Sequence, residues 1–313
     1  MRFDVIANTN AKAYRKDPSL LANIQRISAG KAEVHVTRHV EELGPICERI
    51  AERGTDLVIL SGGDGSFMAG ITALSHAYGS RALPRFALLP GGTVATIARN
   101  FGMKGSPVKL LERIYSSPND FTTTRSATLC VRQTLGAETI ERIGFIFGTG
   151  LVANFFDLYY GDGARGYGGA ARITARIFVD SFYGGPYARR VLTPMPCTID
   201  AEGSRLDGER WSLVCAAVIR DLGIGMKVNY RAGEDLERVH LVASQLPPHL
   251  LGPRCPLVLM GKRIGGKGHV DELFRSFTVR FSPDGPYVLD GDMLRASEVS
   301  VSAGPPIDVL SLR

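Results

Sequence analysis

Two glycine-rich segments hold the residues best suited to chemistry. Residues 61–66 read SGGDGS and residues 88–93 read LLPGGT. Gly62, Gly63 and Gly65 in the first, and Gly91 and Gly92 in the second, let the backbone approach a phosphate closely and aim N–H groups at it. Each segment ends an apolar run and opens a helical one, so the positive N-terminal end of a helix adds to the attraction, with Ser66 at the start of the first. Asp64 is the informative residue. A carboxylate inside a phosphate turn repels its ligand unless Mg²⁺ intervenes or the group works as a base. A lone GGDG also reads as a tight strand-to-helix turn with Asp64 as an N-cap. The second turn, ending in Thr93, shifts the balance toward one shared phosphate cradle.

The elements that must position these turns follow from periodicity. Phe3–Ala7 is a short apolar strand. Asp17-Pro18 supplies an N-cap and a first-turn proline for a helix carrying Leu20, Leu21, Ile24 and Ile27. Residues 31–37 alternate as a strand, with Val34 and Val36 on one face. Leu43, Ile46, Cys47 and Ile50 stripe the next helix, which Gly54 stops. The strands DLVIL (56–60) and FALL (86–89) run straight into the glycine turns. Phe67, Ile71 and Leu74 line the helix after the first turn, and Ile97 and Phe101 the helix after the second. Repeated strand–helix units of this kind predict a doubly wound parallel sheet, an N-terminal α/β domain over residues 1–122.

Beyond residue 122 the pattern changes. Ala127, Leu129 and Val131 alternate, and hairpin signals multiply at Gly203-Ser204, Asp207-Gly208, Asp284-Gly285 and Asp290-Gly291. One helical segment interrupts, around residues 173–182. Residues 123–313 therefore read as a mostly antiparallel, β-sandwich-like domain, whose last residues are free to return to the first. The stretch GDGARGYGG (161–169) reads as a mobile loop.

Composition bounds the function. Hydrophobic residues make 44% and charged residues 22% of the 313, an ordinary globular balance that excludes disordered and fibrous classes. Five scattered cysteines without a CxxC pair predict reduced thiols in the cytoplasm. The opening MRFDVIANTN lacks a signal-peptide pattern, and no apolar run approaches the ~20 residues of a membrane span. A net charge of +6 favours anionic partners, but no motif supports nucleic acid. His35 and His39 fall where a strand passes into a helix and imply no metal site.

SGGDGS followed by LPGGT and Ala98-Arg99 resembles the catalytic domain shared by diacylglycerol, sphingosine and ceramide kinases. The resemblance extends to VIANTNAK (5–12) at the first strand and nucleotide loop, and to Thr37 at the end of the second strand. GTGLVANF (148–155) is similar to the segment that opens the family's lipid-binding domain, and YVLDGDML (287–294) to its late acidic hairpin. The resemblance implies a cytoplasmic ATP- and Mg²⁺-dependent lipid kinase that meets the inner face of the membrane peripherally. By the same resemblance such an enzyme would phosphorylate a primary hydroxyl of diacylglycerol, a ceramide or a sphingoid base; a homodimer is left open. The resemblance also implies site residues. Asn8, Thr37, Gly62, Gly63, Gly65, Ser66, Gly91, Gly92 and Thr93 would hold the nucleotide, Asp64 would organise Mg²⁺ or act as base, and Asp292 would be the second catalytic carboxylate. For Asp292, a solvated strand residue beside a turn is an equal reading.

Four departures stand out. Asn8-Thr9 replaces the family's Asn-Pro, Ala11-Lys12-Ala13 replaces the following glycines, Ala95-Thr96 replaces Asn-Asp, and Asp292 replaces Glu. They keep open a catalytically weak nucleotide or lipid sensor, and the Gly-Gly-Asp-Gly turn, which NAD kinases also carry, keeps open an NAD kinase-like enzyme. Lys12, Arg15 and Lys16 suit phosphates or a solvated loop. Residues 262–269 (KRIGGKGH) suit anionic headgroups or an exposed connection. Phe155, Phe156, Tyr159 and Tyr160 suit a lipid cleft or a core.

Overall fold

A computed structural model describes residues 1–135, 138–161, 163 and 166–312. The chain forms two compact units, Met1–Ser126 with Pro305–Arg313, and Ala127–Gly304.

In the first unit, strand β1 (Phe3–Asn8) leads through α1 (Lys12–Lys16) and α2 (Leu20–Ser28) to β2 (Ala32–Thr37). Next come α3 (Leu43–Arg53), β3 (Leu57–Gly62), α4 (Asp64–Tyr78), β4 (Arg85–Pro90), α5 (Thr96–Asn100), α6 (Pro107–Ser116) and β5 (Phe121–Ser126). The first four strands are parallel, in the order β2-β1-β3-β4. Strand order reverses between β1 and β3, and the carboxyl ends flanking such a reversal form the usual ligand crevice. Every residue of β3 is buried, as expected for a strand covered on both faces. Helix α3 stops at Gly54, whose φ of 63° is the left-handed conformation that glycine adopts without penalty. One expected face is reversed. In β2, His35 and Thr37 point inward and Val36 is exposed, because His35 reaches the buried Asp4 at 2.8 Å. A specific polar pair overrides apolar alternation on this edge strand.

The second unit begins with β6 (Leu129–Leu135), β7 (Glu138–Gly144) and β8 (Ile146–Gly150). Helices α7 (Leu151–Gly161), α8 (Gly166–Phe182) and α9 (Pro186–Leu192) follow. Then come β9 (Met195–Ala201), β10 (Ser204–Arg205), β11 (Arg210–Trp211), β12 (Leu213–Ala217) and β13 (Val239–Ser244). Short helices α10 (Pro248–Leu251) and α11 (Cys255–Leu259) precede β14 (His269–Phe274), β15 (Ser276–Leu289) and β16 (Asp292–Ala303). The strands join in one antiparallel sheet with the path β14-β13-β12-β8-β15-β16-β6-β7, and β9 pairs with β15. A register shift between Arg280 and Gly285 divides β15. Its first stretch pairs with β9 and its second with β8. Asp284-Gly285 therefore lies inside a strand irregularity and makes no hairpin turn.

The unit is richer in helix than its sequence suggests. Leu158, Tyr159, Ile173, Ile177, Val191 and Leu192 form one buried cluster with Leu213, Cys215 and Val242 of the sheet. The aromatic run in α7 has weak helical propensity, and burial against the sheet supplies what propensity does not. Of the expected loop 161–169, residues 162, 164 and 165 lie outside the described residues, and 166–169 form the first turn of α8.

After Gly304 the chain returns to the first unit. Strand β17 (Ile307–Leu312) inserts between β4, with which it runs parallel, and β5, with which it runs antiparallel.

Candidate functional site

At the carboxyl ends of β3 and β4 the two glycine turns touch. The Gly91 N–H donates to the Gly62 carbonyl at 2.6 Å, and the Ala13 N–H donates to the Gly91 carbonyl at 2.9 Å. A Cβ on Gly92 would stand 2.8 Å from the Gly63 Cα, and one on Gly91 would stand 3.2 Å from the Gly62 Cα. A Cβ on Gly62 would meet Ser66 Cβ at 2.5 Å. Backbone packs on backbone here, which leaves no volume for side chains. These glycines are thus required by the turns themselves, before any phosphate arrives.

Helix α4 begins at this point. Phe67, Ile71 and Leu74 are fully buried, each contributing about 1.5–3 kcal/mol of burial, so the helix start is firmly seated. The Ser66 hydroxyl accepts from the Asn8 amide Nδ2 at 2.8 Å and from the Gly63 N–H at 3.3 Å. Asn8 in turn accepts from the Asn10 N–H at 2.9 Å. Thr37 is buried; its hydroxyl donates to the Ala7 carbonyl at 3.4 Å, while its carbonyl accepts the Thr9 N–H at 2.9 Å. Asn8, Ser66, Gly62, Gly63, Gly91 and Gly92 are therefore brought together. Thr37 supports the first loop from below.

Asp64 has a distinct role. Its two carboxylate oxygens accept the N–H groups of Thr96 and Ile97 at 2.9 and 3.1 Å. Those are the first amides of α5, which follows Ala95 in the left-handed region at φ 53°. Asp64 is thus an N-cap supplied from another helix, and it locks the first turn to the element after the second. The capping helix end is taken, so the anion-binding capacity rests on the first turn of α4, with Gly65 and Ser66. The Gly92 and Thr93 N–H groups, which have no protein acceptor among the described residues, add to it. A single carboxylate beside a phosphate turn suits a Mg²⁺ that keeps its waters and takes other ligands from substrate phosphates. The residues fit that kind of site and not an all-protein cage.

Two features escaped the sequence reading. Tyr14, in α1, is buried and donates to the Ser61 hydroxyl at 2.6 Å; burial pushes its phenol up to about 12, against the opposing Ser61 hydrogen bond. A single tyrosine in a basic loop gives no signal of this. Asp4, Glu33 and His35 also offer ligand atoms within 4.8 Å of one another. Burial raises the Asp4 carboxyl, but hydrogen bonds from His35 and Thr55 and the charge of Arg53 bring it below its usual range. Asp4 is four residues before Asn8 along β1, roughly 13 Å at strand rise. This network is separate from the glycine turns.

Asp292 belongs to the second unit. Asp290 and Gly291, at φ 50° and 97°, form the tight turn between β15 and β16, the left-handed pair expected of Asp-Gly. The buried Asp290 carboxylate accepts the Phe145 and Ile146 N–H groups, so it anchors the turn to the start of β8. Tyr160 of α7 donates to the Gly291 carbonyl at 3.0 Å, and Phe156, Tyr159 and Tyr160 stack edge to face or tilted beside it. Tyr159 belongs to the core, whereas Tyr160 is 56% exposed. Asp292 itself stays open to solvent. Desolvation by surrounding protein raises its carboxyl pKa, and Arg142 pulls it part of the way back.

Residues 2–124 match the family model described as the diacylglycerol kinase catalytic domain. The match lies within the first unit and takes in less than half of the chain. Among solved structures, the chain is similar to a diacylglycerol kinase from Bacillus anthracis str. Sterne, with 13% identity, a TM-score of 0.61, and coverage of 99% of this chain and 96% of that one. Two structures titled as candidate diacylglycerol kinases from the same organism have TM-scores of 0.66 at 14% and 15% identity, covering 99% and 98% of this chain and 96% of each of theirs. At such identities the likeness carries the fold, across both units. No curated protein gives a significant match. The matched residues include both glycine turns and the α5 cap at Ala95-Thr96.

Proposed function

We propose that the protein is an ATP-dependent lipid kinase that phosphorylates the primary hydroxyl of a lipid such as diacylglycerol, a ceramide or a sphingoid base. The observation that carries this is the pair of glycine turns locked together by Asp64, in residues that match the diacylglycerol kinase catalytic-domain model. Phosphoryl transfer asks mainly for positioning and charge stabilisation. The amides at the start of α4, with those of Gly92 and Thr93, bind the ATP phosphates, while Asn8 sets the Ser66 hydroxyl. Mg²⁺, held near Asp64, would neutralise phosphate charge when bound. We assign Asp292 as the base. It takes the proton of the lipid hydroxyl as that oxygen attacks the γ-phosphorus, and ADP leaves. Its raised pKa suits a base, and the exposed ring of Tyr160 beside the turn offers an apolar ledge for the lipid. Contact with the membrane is peripheral on this reading.

Ala95-Thr96 supports a second reading, a nucleotide or lipid sensor of little turnover, since no carboxylate follows the second turn. One experiment separates the readings. Purified protein is given labelled ATP and Mg²⁺ with diacylglycerol, ceramide, a sphingoid base or NAD⁺. Labelled lipid is expected. ATP binding without labelled product favours the sensor, and labelled dinucleotide favours an NAD kinase-like enzyme.

A further inference from the structure

The corner between α8 and α9 carries an unusual surface. Val179, Phe182 and Tyr183 are 57%, 55% and 86% exposed. Val179 and Phe182 lie on α8 with Arg172 and Arg176, at spacings of three and four residues, and Tyr183 follows the helix end, while Ile173 and Ile177 face the core. Arg189 and Arg190, also exposed, begin the return along α9. Between Gly166 and Leu192 there are thus four arginines and one acid, Asp180.

That acid is turned inward. Asp180 accepts the Ala188 N–H at 2.7 Å and so caps α9, while its carbonyl accepts the Gly185 N–H at 3.0 Å. Gly184 takes a left-handed φ of 59°. The corner is therefore a built turn, and it holds Phe182 and Tyr183 outward instead of letting them fold back. Arg176 stacks on the Tyr187 ring at 4.2 Å, and Arg190 pairs with Asp157 at 3.2 Å. Arg172 and Arg189 have no ion-pair partner among the described residues.

We infer that this corner is a docking surface for an anionic lipid bilayer. Aromatic side chains enter the headgroup boundary, and arginines around them meet lipid phosphates. A second copy of the chain fits poorly. A two-fold contact through this face would set arginine against arginine, with no outward acid to pair. The surface deepens the lipid-kinase reading by naming where that enzyme meets its substrate's membrane, and its test reads binding without turnover.

The full chain is sedimented with vesicles of phosphatidylglycerol and phosphatidylcholine in equal parts, or of phosphatidylcholine alone. Binding to the anionic vesicles is expected, weakened by added salt. Phe182→Ser with Tyr183→Ser, and separately Arg172→Glu with Arg189→Glu, should each lower partitioning, with about fivefold for each arginine charge removed. Circular dichroism melts check that both variants stay folded. Unchanged partitioning in folded variants overturns the inference, as does a chain that never pellets with anionic vesicles. It is also overturned if Lys262→Glu with Arg263→Glu alone abolishes binding, or if the corner variants lose self-association instead. Should the wild-type chain bind vesicles through this corner yet label no lipid, the docking surface stands and the kinase reading falls. Labelled diacylglycerol in detergent micelles from variants that no longer pellet supports both.

Discussion

The Asp64 carboxylate does two things that one substitution can separate. As an acceptor it holds the Thr96 and Ile97 amides; on the proposed function its charge also acts at the phosphate turn. Asp64→Asn keeps one acceptor oxygen and places an N–H₂ against the other amide. We expect a loss of about 1–3 kcal/mol in the stability of the first unit, seen as a lower thermal midpoint. Turnover should fall by roughly 10²–10⁴ if the charge acts in transfer. A drop in stability with unchanged turnover would leave Asp64 a purely structural cap. Asp292 invites a different measurement. A base works only when ionised, so with Asp292 in the proposed role its raised pKa places the acid limb of kcat above that of an ordinary aspartate, with activity falling as the pH drops through it. Asp292→Asn should remove that limb along with most of the rate. A limb that survives the substitution would assign the base elsewhere.

Among elements, the contact between the two turns is the most demanding. Gly92→Ala would bring a Cβ within 2.8 Å of the Gly63 Cα, and since only backbone is there to yield, the turns must part. Overpacking of this kind costs about 1–3 kcal/mol, and ATP affinity measured by calorimetry should fall with it. Gly44→Ala provides the control. Gly44 lies in the first turn of α3, where an added Cβ meets nothing within 4 Å outside its chain neighbours, but the Pro45 that follows disfavours a helical residue with a Cβ, so the change should leave ATP affinity unaltered without a stability gain. These elements were unevenly readable. Strand β3 and the α4 stripe follow directly from DLVIL and from Phe67, Ile71 and Leu74. Helix α7 does not, because FFDLYY has no clear period and only the sheet beneath decides its conformation.

At the scale of the whole molecule, two features govern stability. Strand β17 holds β4 and β5 in one sheet, so a chain ending at Gly304 should lose the cooperative melt of the first unit and its ATP binding. Retention of both would show that the four parallel strands suffice. In the second unit, Asp271 receives His240 at 2.8 Å, His269 at 3.4 Å and the Tyr230 hydroxyl at 3.2 Å. Burial alone would raise its carboxyl, yet the two histidine hydrogen bonds and charges outweigh this and hold it well below 3.8. A lowered folded pKa contributes stability that is full above the unfolded value and drains away as the pH falls through the folded one. Acid unfolding should therefore steepen below about pH 4, and Asp271→Asn should flatten that limb while lowering stability at neutral pH.

The sequence by itself determined the parallel strands of the first sheet, the antiparallel second one, the position of both glycine turns and the left-handed Asp290-Gly291 turn. Each of these is set by local rules: burial period, glycine's free φ and the absence of a Cβ. Only the tertiary structure decided what the chemistry-bearing residues touch. Asp64 reaches α5 across 32 residues, Tyr14 reaches Ser61 across 47, and Asp290 reaches Phe145 across 145. No local period encodes such partners, since they depend on strand order and on which helix end arrives beside which turn. The same holds for the α8–α9 corner, where the arginines are plain in the sequence but the outward aromatics become a surface only once Asp180 closes the turn.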